Sequence, residues 1–139
     1  MLVHASCVAI DQKAVLLFGD SGVGKSDLAL RMIDGGAVLV SDDQTLLSIK
    51  DGCLIASPPV SIAGMMEIRH IGLVKMPFLQ EAKVALAIEL LQTGEGLDRL
   101  PETDHVLLLD HPVQRLRLHS LYPSTPAKIR AVIAYMLEA

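Results

Sequence analysis

The stretch "GDSGVGKS" at residues 19–26 restricts this chain more than any other part of it. Gly19 and Gly24 stand five apart, with Lys25 and Ser26 directly behind. Glycines at that spacing let the backbone double back and aim successive N–H groups into a concave anion site at a helix N-terminus. Lys25 can then reach the β- and γ-phosphates of a nucleotide, and the Ser26 hydroxyl is placed to ligate Mg²⁺. Gly19, Asp20, Ser21, Gly22, Val23, Gly24, Lys25 and Ser26 are therefore the candidate nucleotide-binding residues. The flanks agree. "AVLLF" before the loop is an apolar strand, and "SDLALRMID" after it is an amphipathic helix. Leu28, Met32 and Ile33 share one face of that helix, Asp27 sits in the first turn where the dipole favours it, and Gly35–Gly36 ends it. Strand, loop and helix in that order imply a nucleoside triphosphate site.

The 139 residues predict one domain spanning 1–139. The apolar fraction is 51% but aromatics are only 3%, so the core must be built from Leu, Ile, Val, Ala and Met. The same shortage removes the stacking platforms that single-stranded nucleic acid needs. The net charge of −4 comes from interspersed acids and bases with no Lys/Arg cluster, so no nucleic-acid partner is expected. Cys7 and Cys53 lack CxxC spacing and read as buried, reduced thiols. The apolar start "MLVHASCVAI" has no basic n-region and is too short to span a bilayer. The expectation is a soluble, cytoplasmic protein with no membrane partner.

Along the chain, "VHASCVAI" and "AVLLFG" read as strands joined at "DQK". "AVLVSDD" is a short strand ending in two carboxylates, and "TLLSIKDGCLIAS" is a hairpin about an Asp51-Gly52 turn. "PPVSIAGM" is expected to be a loop. "KVALAIELL" reads as a strand with Val84, Leu86, Ile88 and Leu90 on one side, although its alanines leave a helix open. "TGEGLDRLPETD" is a polar loop, and "HVLLLD" and "QRLRLHS" are two further strands. The chain closes on a helix at "TPAKIRAVIAYMLEA", with Thr125 as N-cap, Pro126 at the first helical position, and Ile129, Val132, Ile133, Met136 and Leu137 as the buried stripe. This is a strand-rich α/β class: a P-loop-containing mixed β-sheet with few helices.

A triphosphate site needs an acid for its metal. "VLVSDD" offers Asp42 and Asp43, and "VLLLD" offers Asp110, which His111-Pro112 marks equally well as a turn. The adjacent pair has no Lys or Arg within five residues on either side, so one carboxylate faces a metal or a proton-acceptor role. A solvated strand end is the plain alternative. In "MMEIRHIG", Glu67 and Arg69 lie two apart. As strand residues they would share a face, to ligate metal and clamp phosphate or simply to pair with each other. Histidines 4, 70, 105, 111 and 119 have no zinc-ligand spacing.

Taken in order, "HASCVAI", "GDSGVGKSDLAL", "GGAVLVSDD", "MEIRHIGLVKM" and "LDRL" resemble the C-terminal catalytic domain of HPr kinase/phosphorylase. The similarity is clear over residues 4–76 and fainter beyond. It implies an HPr kinase/PEP carboxykinase-like nucleotide-binding core using ATP and Mg²⁺. It further implies catalytic roles for His4, Lys25 and Asp43, with Asp43 as the base that takes a proton from a protein serine. Asp42 would help hold charge or metal, and Ser26 and Glu67 match the Mg²⁺ ligands. Arg69 lies in the signature segment, and Arg99 is the candidate for a later catalytic arginine. The implied substrate is a serine of HPr or an HPr-like phosphocarrier of a phosphotransferase system, and the implied assembly is a homo-oligomer, a hexamer in the family.

Three departures stand out. The family's N-terminal domain has no counterpart, so a short form is expected. His70 occupies a position where Gly is usual; that Gly would allow an unusual backbone angle or a close approach, so the local geometry is expected to differ. The family's Pro-Gly-Arg-Asn segment, tied to dephosphorylation, has no match in "LRLHSLYPSTPAKIR", so kinase activity is better supported than phosphorylase activity. Two other functions fit the loop: a small-molecule kinase, or a nucleotide-dependent switch without transfer. The six arginines form no Arg-rich lid, which counts against the former. The latter needs no base beside the γ-phosphate.

Overall fold

In the computed structural model, which describes residues 1–93 and 96–137, the chain is a mixed α/β domain with a curled sheet and two helices. Strands β1 (Leu2–Val3), β2 (Ser6–Ile10) and β3 (Lys13–Phe18) lead through the glycine loop into α1 (Lys25–Asp34). Strands β4 (Val38–Ser41), β5 (Thr45–Lys50) and β6 (Cys53–Ser57) follow, then a 3-10 turn at Val60–Ile62 and the hairpin β7 (Met65–Ile68) and β8 (Gly72–Lys75). Strands β9 (Ala82–Leu91), β10 (Asp104–Leu108) and β11 (His111–His119) precede α2 (Thr125–Tyr135).

Short turns set most of this order. Asp11 and Gln12 both take positive φ, 48° and 65°, which is the two-residue geometry that matches strand twist between β2 and β3. Asp51 and Gly52 do the same between β5 and β6. Leu109 and Asp110 take φ of 49° and 60° between β10 and β11, so Asp110 belongs to a turn and not to a strand end. The long β9 is the axis of the sheet. One edge pairs parallel with β3; the other is divided, with β6 antiparallel at Ala82–Lys83 and β11 parallel from Ala87 to Leu91. That division splits the sheet into two arms and lets it curl.

Both faces of the central strands are buried, which is why β3 and β9 read as nearly continuous apolar runs. On one face Val8, Val15, Leu17, Leu86 and Ile88 pack with Leu28, Ala29 and Met32 of α1 and Ile129, Val132 and Ile133 of α2. On the other, Cys7, Ala9, Leu16, Leu47, Leu54, Ala56 and Val113 pack with no helix, so the curling arms close this core themselves. Burial pushes the Cys7 thiol far up, which makes it an inert core residue, whereas Cys53 is half-buried at the start of β6. At the outer arm Arg115 donates to Asp104 at 2.7 and 2.9 Å and lies 3.6 Å from Glu89, tying β11 to both neighbours. That hydrogen bond from Arg115 is the main reason the Asp104 carboxyl lies below the usual carboxylate range.

Several local expectations are revised. The register of β9 against β3 shifts between Ala14 and Val15, so Ala85 is an extra residue. Such a bulge flips the alternation. Val84 therefore packs in the helix-free core, opposite Leu86, Ile88 and Leu90. Thr125 does not cap α2. Its hydroxyl donates 2.6 Å to the His119 carbonyl, Ser124 is the cap residue, and Met136 is exposed beyond the helix end. The "PPVSIAGM" segment contains a 3-10 turn where an irregular loop was expected. Within the polar loop after β9, Gly94 and Glu95 lie outside the described residues.

Candidate active site

Three strand ends meet at one place. The C-terminal end of β3 opens the glycine loop, the antiparallel β2 starts beside it with Ser6 opposite Leu17, and β4 ends beside β2 with Ser41 opposite Cys7. Each strand thus delivers its polar terminus to the same edge of the core.

The glycine loop is anchored at its base and open at its tip. Val23 is buried and its N–H donates 3.0 Å to the Asp20 carbonyl, closing a turn. A Cβ on Gly19 would stand 2.7 Å from Val23 Cγ1 and 3.0 Å from the Leu90 carbonyl oxygen of β9, so only glycine fits there. Gly24, at φ 106°, takes the left-handed conformation as N-cap of α1, and its carbonyl accepts the first helical bond from Leu28. Asp20, Ser21 and Gly22 are exposed. Lys25 Nζ folds over the loop and donates to the Gly19 carbonyl at 2.7 Å and to the Asp20 carbonyl at 3.3 Å.

The two adjacent aspartates are placed differently. Asp42 is buried, and its Oδ1 accepts from Ser26 Oγ at 2.7 Å and from Ser6 Oγ at 3.1 Å. The Glu67 N–H of β7 approaches its Oδ2 at 3.4 Å. Asp43 is exposed and points the chain back on itself: φ is 66°, and the Gln44 N–H donates to the Asp42 carbonyl at 2.7 Å. A bond between residues two apart around a positive φ is a γ-turn, a strained arrangement that persists only where its surroundings enforce it. Two contacts do so here. The Ser41 hydroxyl donates to the Gln44 carbonyl, and Ser6 Oγ accepts the Asp43 N–H at 3.0 Å.

The structure therefore brings Ser26, Asp42 and the backbones of Asp43 and Glu67 together at the foot of the glycine loop. His4 is exposed at the bend two residues before Ser6. The Glu67 side chain is exposed on β7. Arg69 lies outside β7, in the turn that follows Ile68, so the same-face pairing expected of a strand does not apply. Arg99 is exposed in the segment between β9 and β10, and no hydrogen bond or ion pair ties it to these groups among the described residues. A groove of about 590 Å³ lies beside that segment, lined by Leu97, Asp98, Arg115 and Arg117, and includes none of the loop residues.

The donor set fits Mg²⁺. Ser26 and Asp42 offer hard oxygens, and no group of three His, Cys, Asp or Glu that could hold a metal occurs among the described residues. Mg²⁺ takes one or two protein ligands together with substrate phosphates and needs no all-protein cage.

Two features escaped the sequence reading. One is Ser6, whose signal was a lone hydroxyl among the buried Ala5, Cys7 and Val8. The other is the segment after β11. Ser120 is fully buried with its Oγ unpartnered among the described residues, next to Gly24, while His119 stacks on Tyr122 with ring centroids 4.1 Å apart. Arg31 of α1 fixes this segment by donating to the Ser120 and Tyr122 carbonyls.

His70 takes φ 72° in the turn closed by the Ile71 N–H to the Ile68 carbonyl, the third position where a glycine is favoured. A histidine thus holds a left-handed backbone angle where the family usually has glycine. His70→Gly is expected to stabilise the fold by about 1 kcal/mol, roughly 4 °C in Tm, because non-glycine residues pay that much in the left-handed region. Calorimetry of the two proteins checks it, and an unchanged or lowered Tm contradicts it.

With this geometry in place, the comparisons fix the family. Residues 1–120 match the model of the HPr serine kinase C-terminal domain, and the chain belongs to that family. HPr kinase/phosphorylase of Clostridium acetobutylicum is 34% identical over 141 residues, covering 94% of this chain and 45% of the relative. The Clostridium tetani protein of the same name is 35% identical over 142 residues with the same coverage. The chain thus spans about half the length of the curated relatives it matches. The Hpr(Ser) kinase/phosphatase structure from Coxiella burnetii superposes with a TM-score of 0.84 at 26% identity, covering 96% of this chain and 88% of that one.

Proposed function

We propose that this domain is an ATP-dependent protein-serine kinase that transfers the γ-phosphate to a serine of an HPr-like phosphocarrier. The observation that carries the proposal is the 2.7 Å bond from Ser26 to the buried Asp42, with the exposed Asp43 held on a strained turn directly beside it. In this reading residues 19–26 are a P-loop. Their N–H groups and Lys25 cradle the β- and γ-phosphates. Ser26, Asp42 and Glu67 would hold Mg²⁺, which supplies charge neutralisation on the phosphate oxygens when bound. The Asp43 carboxylate accepts the proton of the incoming serine hydroxyl as its oxygen attacks phosphorus and the β-phosphate leaves. Phosphoryl transfer asks for positioning and charge stabilisation more than covalent help, and the site is equipped for both.

His4, Arg69 and Arg99 sit on exposed segments where a docked carrier and the transferring phosphate could meet them. The names of the Clostridium relatives support the carrier as substrate, and the family supports homo-oligomeric assembly. The forward, kinase direction is favoured because the family's Pro-Gly-Arg-Asn segment, tied to dephosphorylation, has no match in "LRLHSLYPSTPAKIR". No helix among the described residues is long and apolar enough to cross a membrane.

The test is incubation with Mg-ATP and HPr-like carriers, followed by mass spectrometry of the carrier. Phosphoserine on a carrier is the expected result. ATP binding with no phosphate on any carrier would favour a switch without transfer.

A further inference from the structure

We infer that Ser6 is a positioning residue that sets the two aspartates into different roles. This rests on the kinase reading above. The hydroxyl is fully buried and is used twice: it donates to Asp42 Oδ1 at 3.1 Å and accepts from the Asp43 N–H at 3.0 Å. A hydroxyl can donate once and accept at the same time, so one side chain satisfies both demands without competition. Its donation, together with that of Ser26, holds the Asp42 carboxylate toward the glycine loop. Its acceptance fixes the backbone turn that keeps Asp43 at φ 66° with its side chain outside the cluster.

The rest of β2 makes Ser6 rigid. Its neighbours Ala5 and Cys7 are fully buried, it pairs with Leu17 across the sheet, and the Ala5 carbonyl accepts Thr45 Oγ1 at 2.7 Å. The hydroxyl is thus held by the sheet itself, while Asp42 and Asp43 lie just past the end of β4 and have no ladder of their own. A group that orients a metal-site carboxylate from such a scaffold commonly contributes one to two orders of magnitude to metal affinity or rate. Without Ser6 the Asp43 N–H loses its partner, the turn is free to relax, and the proton acceptor leaves its position.

The test uses the whole chain with Ser6→Ala and Ser6→Thr. For Ser6→Ala, kcat is expected to fall about 10- to 100-fold, and the Mg²⁺ concentration for half-maximal binding of a fluorescent ATP analogue to rise about 10-fold. KM for ATP stays within about twofold, since the Ser6 hydroxyl bonds Asp42 and Asp43 and no residue of the glycine loop. Ser6→Thr, which keeps the hydroxyl, restores kcat to within about threefold. Loss of a purely structural group would lower Tm and raise KM without moving the Mg²⁺ midpoint. Should Ser6→Ala fail to fold, Ser6→Cys keeps the volume with a weaker donor and is expected to shift the same midpoint. A midpoint and kcat within twofold of wild type in the folded variant overturns the inference. If the wild type transfers no phosphate at all, the kinase reading fails on its own, and the Mg²⁺ midpoint of analogue binding still decides whether Ser6 positions Asp42.

Discussion

Asp43→Asn is expected to lower phosphate transfer to a carrier serine by about 10³-fold while ATP affinity stays within about twofold. General-base catalysis contributes between 10² and 10⁴ in rate, and an amide cannot take the proton. The substitution is a clean one for this position. Asparagine tolerates positive φ nearly as well as any non-glycine residue, so the turn at φ 66° survives. The bond to Ser6 comes from the backbone N–H and is untouched, and the exposed side chain packs against nothing that an amide would disturb. Asp42→Asn would be far less informative, because it alters a carboxylate that accepts from Ser6 and Ser26. Single-turnover transfer measured beside nucleotide titration makes the check. Transfer that persists in the Asp43→Asn protein removes Asp43 as the base.

The second large effect is on the fold. Gly19→Ala should destabilise the domain by about 3 kcal/mol, roughly 10 °C in Tm, and abolish measurable ATP binding. The added methyl would meet Val23 Cγ1 at 2.7 Å and the Leu90 carbonyl at 3.0 Å. Val23 is buried within the core and Leu90 O is backbone of the central strand, so neither can step aside cheaply. The loop would have to lift off β9, taking its N–H groups out of register. Gly22, by comparison, has nothing within 4 Å of its would-be Cβ and marks the free tip. Thermal denaturation and nucleotide titration of the Gly19→Ala protein test both halves of the claim. A Tm within about 2 °C of wild type would mean that the base of the loop is far softer than its contacts imply.

These two residues also mark how far the sequence could be read. The strand, glycine loop and first helix were legible because local rules agree there: an apolar run, glycines at fixed spacing, then a face repeating every three to four residues. The hairpins at Asp51-Gly52 and Asp11-Gln12 were legible for the same reason. What failed depended on pairing across the sheet. The bulge at Ala85 that sends Val84 to the opposite core is a product of register against β3, which no local window contains. Thr125 looks like a cap in sequence, yet a carbonyl of β11 claims its hydroxyl. Arg69 reads as a strand residue until the left-handed His70 ends the strand. At the site, the pair Asp42-Asp43 was visible but the difference between its members was not. That difference comes from Ser6, 36 residues away from Asp42, and from a turn whose angle only the folded neighbours enforce.

The central strand carries one more consequence, for a chain emerging from the ribosome. Every motif of the loop and its acids lies within the first 70 residues, yet the floor of the loop is Leu90 on β9, and the strand that feeds the loop is flanked on that side by residues 83–89. A nascent segment ending near residue 80 therefore contains the glycine loop and both aspartates without the surface that shapes them. The cradle closes only when a strand seventy residues downstream of β3 slides in parallel beside it. In the kinase reading, a nucleotide site at residues 19–26 would thus be complete only once β9 is in place.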